Sequence, residues 1–135
     1  MIDSSQLDAD QWKWLAEELQ NSVAVSVLVS AKSLGGSERE KFISLVKKSK
    51  QKNIVLLTTQ NDQSKISKTS AAMATIYEIS PRSSGTDSAI VGDAPMQIAK
   101  PADFGMLKFD WSKRMAVFEI RNSQDEKVET LEASF

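Results

Sequence analysis

Apolar positions along the chain follow two rhythms. Over residues 8–21, Trp12, Leu15, Ala16 and Leu19 recur at three- and four-residue steps, which predicts a helix with one buried face. Asp8 opens that stretch and Gln11 follows three residues later, the spacing of a reciprocal N-terminal cap. Trp14 falls off the stripe and is free to meet another element. Val23 to Ser30, VAVSVLVS, is nearly continuous and rich in β-branched residues, as a strand covered on both faces should be. Leu34-Gly35-Gly36 then marks a turn. The run SERE behind it places Ser37 as an N-cap with Glu40 reaching back, and predicts a helix over 38–49. Phe42, Leu45 and Val46 face inward on it, while Lys47, Lys48 and Lys50 suit its negative C-terminal end. NIVLLTT, 53–59, reads as a second buried strand. Strand, helix and strand in this order predict a parallel βαβ unit.

The second half is built differently. ATIYEIS, 74–80, is strand-like. Residues 81–103 hold all three prolines with several Ser, Gly and Asp residues, and predict a long loop. FGMLKFDW, 104–111, and RMAVFEIR, 114–121, alternate apolar and polar residues around a short link at Trp111–Arg114, which predicts a hairpin. A turn at NSQDEK, 122–127, leads to a last strand, VETLEAS, 128–134. The expected fold class is α/β: a parallel βαβ unit followed by an antiparallel β meander, within a single domain over 1–135.

Composition narrows the chemistry more than the fold. Hydrophobic residues make up 41% and charged residues 26%, the balance of a globular domain in water. A formal net charge of −1 gives no basic field to attract nucleic acid or anionic lipid. No run approaches the roughly 18 apolar residues of a membrane helix. Met1-Ile2-Asp3-Ser4-Ser5 carries neither a basic n-region nor an apolar h-region, so no secretory signal is visible and the compartment stays unassigned. The 135 residues contain no Cys and no His. Disulfides, thiol nucleophiles and Ser-His-Asp triads within the chain are therefore excluded. Any metal would need oxygen ligands, which favours magnesium or calcium over zinc.

No P-loop, dinucleotide fingerprint, zinc spacing or EF-hand loop is present, and no cofactor is expected. Gly35-Gly36 reads as a turn opening a helix rather than a phosphate cradle. Lys47, Lys48, Lys50 and Lys52 read as a solvated helix end, and Trp12 as a core residue. The chemistry of interest lies past the second strand, at Thr59-Gln60-Asn61-Asp62-Gln63. Asp62 is the lone carboxylate there, and a lone carboxylate is a poor site for a divalent ion.

The order of segments resembles the C-terminal portion of the alkaline-phosphatase-D-like (PhoD-like) metallophosphatases. QLDADQWKWLAEEL followed by VAVSVLVS is similar to that family's L-x-x-x-Q-W-x-W-L helix and the strand after it. EREKFISLVKKSKQKNIVLLT is similar to its next helix and strand, and IYEISPRSSG to its Y-E-(I/V)-T-S-S-G segment. DFGMLKFDWSKRMAVFEIRNSQDEKV resembles its closing hairpin. The resemblance implies half of a four-layer α/β/β/α sandwich. In that family the strand matching 53–58 ends in S-G-D-x-H, whose Asp and His serve the metal centre. Here Gln60 stands at the Asp position, Asp62 at the His position, and Thr59 in place of the Gly. The family's other ligands lie upstream of the matching segments.

With those departures, the resemblance implies a pseudo-phosphatase-like module with vestigial ligand positions, no catalytic residues and no bound metal. Its expected role is as an interaction or structural subunit. The two predicted helices cover one face of strands that are apolar on both faces. Either the meander folds across the open face or another chain does. A protein partner or homo-oligomer is expected, with 81–103 as the contact segment. The alternative is a metal-dependent phosphoesterase fragment whose remaining ligands come from a partner chain.

Overall fold

The computed structural model describes residues 8–21, 26–30, 34–59 and 61–134. They form α1 (Ala9–Asn21), β1 (Ser26–Ser30), α2 (Gly36–Lys48), β2 (Asn53–Thr58), β3 (Lys65–Ala71), β4 (Ala74–Ser80), β5 (Gly85–Val91), β6 (Ala94–Lys100), β7 (Phe104–Asp110), β8 (Met115–Arg121) and β9 (Lys127–Ser134). A four-stranded sheet has the order β1-β2-β4-β3. β1 and β2 pair in parallel with Leu28 opposite Leu56, and β2 and β4 pair in parallel with Val55 opposite Tyr77. The expected βαβ unit is therefore present over its described residues. Val23–Val25 of the first predicted strand lie outside them.

Apolar residues on both faces of β2 and β4 dictate what surrounds them. Ile54, Leu56, Ala74 and Ile76 pack against Trp12, Leu15 and Leu19 of α1 and Phe42 and Val46 of α2. Val55, Tyr77 and Ile79 turn the other way and pack against Ala116, Phe118 and Ile120 of β8 and Ala133 of β9. The Tyr77 and Phe118 rings meet at 5.2 Å between centroids. Each buried Val, Leu or Ile contributes about 1.5–3 kcal/mol, so neither face could be left wet. The β7-β8-β9 meander, an antiparallel sheet in that order, is thus the second cover. Of the two sources anticipated for that cover, the chain itself supplies it.

Local signals explain the ends of these elements. Asp8 and Gln11 form the reciprocal cap: Gln11 N–H donates to Asp8 Oδ1 at 2.8 Å and Asp8 N–H to Gln11 Oε1 at 3.1 Å. α2 begins differently from expectation. Its N-cap is Gly35 in extended conformation, with no side-chain cap bond, and Gly36 at φ +52° swings the chain into the helix before Ser37 can cap it. Ser49 closes the other end, donating through both its N–H and its hydroxyl to Val46 O. Trp14 meets no core and is 44% exposed.

Three strands depart from the sequence reading. β3 pairs antiparallel with β4 through a two-residue turn at Ala72-Met73, and Ala72 adopts φ 56° there. A left-handed alanine gives no Asn-Gly signal, so the hairpin is hidden in the sequence. The segment 81–103 is not a long loop: it holds β5 and β6, paired antiparallel around Gly92-Asp93, with Gly92 at φ +64°. Pro95 sits opposite Ile90, one pair beyond the turn-closing Val91–Ala94 pair. That position points its missing N–H at the open edge, where a strand tolerates proline.

One contact joins the two sheets at their rim. Glu129 on β9 accepts a hydrogen bond from Ile66 N–H on β3, at 2.7 Å. β3 is the edge of the four-stranded sheet, and an inward carboxylate occupying an edge donor blocks pairing with a further strand.

Replacing Phe118 with Ala should lower stability by about 3–5 kcal/mol in urea titrations, since it empties the centre of the second core. Trp14→Ala should change it by less than about 0.5 kcal/mol, as an exposed site does.

Candidate functional site

Ligands of parallel sheets gather beyond the C-terminal ends of the strands, and here β2 and β4 end side by side. Thr58 and Ser80 are the last residues of the two strands. Their buried hydroxyls are hydrogen-bonded at 2.7 Å. Asn61 closes the opening above them. Its side-chain Nδ2 donates to Thr58 O at 3.2 Å, to Pro81 O at 3.2 Å and to Thr58 Oγ1 at 3.3 Å. Ser83 N–H donates to Asn61 O at 2.8 Å, and Asn61 forms a parallel bridge with Arg82. The amide therefore works as a clamp between strand ends, with its N–H groups turned inward.

Arg82 and Asp103 form a second clamp. Arg82 Nη2 donates to Asp103 Oδ1 at 3.2 Å and to Pro101 O at 3.0 Å. Asp103 N–H returns a bond to Arg82 O at 2.9 Å. The Ser64 hydroxyl donates to Asp103 Oδ2 and accepts from Arg82 N–H. Burial pushes the Asp103 carboxyl up, but the Ser64 hydroxyl and the Arg82 guanidinium together outweigh it and hold the group below its usual range. Gly105 lets β7 pass close by: a Cβ there would lie 3.3 Å from Pro81 Cγ.

Two clefts flank the Asn61-Asp62 ridge. One, of about 400 Å³, lies between the strand ends and the base of the β5–β6 hairpin, bordered by Arg82, Ser83, Ser84, Thr86 and Lys100. The other, of about 330 Å³, lies toward the helices, bordered by Leu34, Arg39, Lys65, Ser67 and Glu78. Glu78 is nearly buried on β4, and Arg39 of α2 reaches it at 2.8 Å.

The residues anticipated from sequence fare unequally. Gln60 lies outside the described residues. Asp62 is exposed and borders both clefts. No group of three or more His, Cys, Asp or Glu side chains converges on one point among the described residues. Glu78, which shares the smaller cleft with Asp62, is committed to Arg39. Asn61 falls within the 59–63 stretch but without a role of its own, and nothing in the sequence marks Ser64, Arg82 or Asp103, because their roles rest on contacts up to 39 residues apart in the chain. A polar side chain directly after a buried strand was the one available signal for Asn61.

Elsewhere, Trp111 at the β7–β8 turn stacks on Phe109 at 5.1 Å and stays 68% exposed. Glu119, buried on β8, is held below the usual carboxylate range, chiefly by the hydrogen bond from Arg121 and further by Lys127 and Lys108.

Two outcomes follow from the clamps. Asn61→Asp replaces an inward donor by an acceptor facing two carbonyls, and should cost about 1–3 kcal/mol in thermal or urea unfolding at neutral pH. Asp103→Asn should destabilise the chain near neutral pH. Because the folded carboxyl titrates below its unfolded value, its contribution is full above about pH 4 and fades as pH falls through the lower folded value. The stability gap between wild type and Asp103→Asn should therefore narrow below about pH 4 in pH-resolved urea titrations.

No protein-family model, curated protein or solved structure matches the chain in the corresponding comparisons.

Proposed function

We propose that this chain is a non-catalytic, metallophosphatase-like module that acts as an interaction or structural subunit of a larger protein assembly. The observation that carries this reading is the β5–β6 hairpin. Neither core includes any of its described side chains, and all described side chains of β6 are exposed. Ile90 is 79% exposed, Met96 48% and Ile98 47%. A two-stranded hairpin is marginal in water by itself and gains order when a further strand or surface covers it. Exposed apolar residues grouped on one projecting element are the usual mark of a contact site.

The lack of catalysis is supported by the chemistry at the end of β2. A metallophosphatase needs several anionic or imidazole ligands to hold its ions and generate hydroxide. The equivalent ground here is occupied by Thr58, Ser80 and Asn61, neutral groups bonded to one another. The second reading, a phosphoesterase completed by a partner's ligands, has Asp62 as its one support, an exposed carboxylate at the right strand end.

Two measurements test the proposal. Purified chain supplied with magnesium, calcium or manganese should hydrolyse bis-p-nitrophenyl phosphate no faster than the metal salt in buffer. A metal-dependent rate lost in Asp62→Ala would favour the second reading. Hydrogen exchange on the chain in its native assembly, compared with the purified chain, should show added protection across 85–100. Equal exchange there in both states would refute the interaction role of the hairpin.

A further inference from the structure

The arm formed by β5 and β6 joins the rest of the molecule through two short legs, residues 81–84 and 101–103. None of its described side chains enters either core, so packing of those residues does not set its direction. The legs are bonded instead. Arg82 on the first leg reaches the second twice, donating through Nη2 to Pro101 O at 3.0 Å and to Asp103 Oδ1 at 3.2 Å. Asp103 N–H returns a bond to Arg82 O at 2.9 Å, so main chain and side chains both cross between the legs. Ser64, just before β3, ties the two legs to the four-stranded sheet. Its hydroxyl donates to Asp103 Oδ2 and accepts from Arg82 N–H at 2.9 Å. Ser83 N–H adds a bond to Asn61 O at 2.8 Å.

These ties leave little chain in which to turn. A hinge is made of a few residues that absorb large changes in φ and ψ. On the second leg, Pro101 accepts a bond from Arg82 and the next residue back, Lys100, already pairs with Gly85 in the ladder. On the first, only Ser84 stands between the bonded Ser83 and Gly85. Pro81 and Pro101, one on each leg, confine φ further. We infer that the Ser64–Arg82–Asp103 cluster is a lock that holds the β5–β6 arm at one orientation relative to the sheets. The use of the lock rests on the interaction role proposed above: an arm already set in direction loses less freedom when a partner meets it. The ladder beyond the lock still gains protection on contact.

The test uses the full chain without a partner, so the lock can fail while the interaction role stands, and the reverse. Residual dipolar couplings of backbone amides in a weakly aligning medium report the orientation of the arm. In the parent, couplings over 85–91 and 94–100 should fit the alignment tensor of β2, β4 and β8, with a relative order near about 0.85. Asp103→Ala removes the carboxylate that Arg82 and Ser64 share, and Ser64→Ala removes the tie to the sheet while keeping the Arg82–Asp103 pair. In each, the sheet couplings should keep the parent pattern while the relative order of the arm drops below about 0.6. The parent couplings decide the fixed orientation whether or not either variant folds. A parent arm that needs its own, smaller tensor would overturn the inference. So would a folded variant of either kind whose arm is as ordered as the parent's.

Discussion

Two strands that are apolar on both faces govern this fold. β2 and β4 bury Ile54, Leu56 and Ile76 on one side and Val55, Tyr77 and Ile79 on the other. A central layer of that kind is stable only between two covers. The helices α1 and α2 supply one and the β7-β8-β9 meander the other. The chain order follows this need: the parallel unit comes first, and the meander returns across the face it leaves open. The Glu129–Ile66 bond then fastens the rim where the two sheets meet.

Much of this was legible in the sequence because local patterning and global burial agree. Period-3.6 spacing gave α1 and its Asp8–Gln11 cap, and alternation gave β7, β8 and β9 within a residue or two of their ends. What stayed hidden depended on conformations that residue types do not announce. Ala72 occupies a left-handed turn that usually asks for Gly or Asn, so the sequence does not announce β3. The three prolines of 81–103 argued for a loop, yet Pro95 lies on a free edge where it breaks no ladder bond. Helix α2 begins on two glycines rather than on Ser37, a choice made by backbone freedom and not by side-chain capping.

The site at the strand ends was legible by position and not by contact. Parallel strands open toward ligands at their C-terminal ends, which here are followed by residues 59–63, and Asp62 stands at the rim of both clefts. Its neighbour Asn61 does the structural work, and Arg82, Ser64 and Asp103 arrive from three separate segments to brace it. Such convergence is invisible before the chain is folded. It ties the ends of β2 and β4 to the segment that enters β7 through hydrogen bonds between residues far apart in the chain.

The hairpin between Gly85 and Lys100 has a consequence for how such a chain can diversify. Because none of its described side chains takes part in either core, drift at those positions is not held back by the packing of the sheets. Such an arm can vary from one sequence to the next while the packed layers stay as they are, so that change and constraint fall on separate stretches of the same chain.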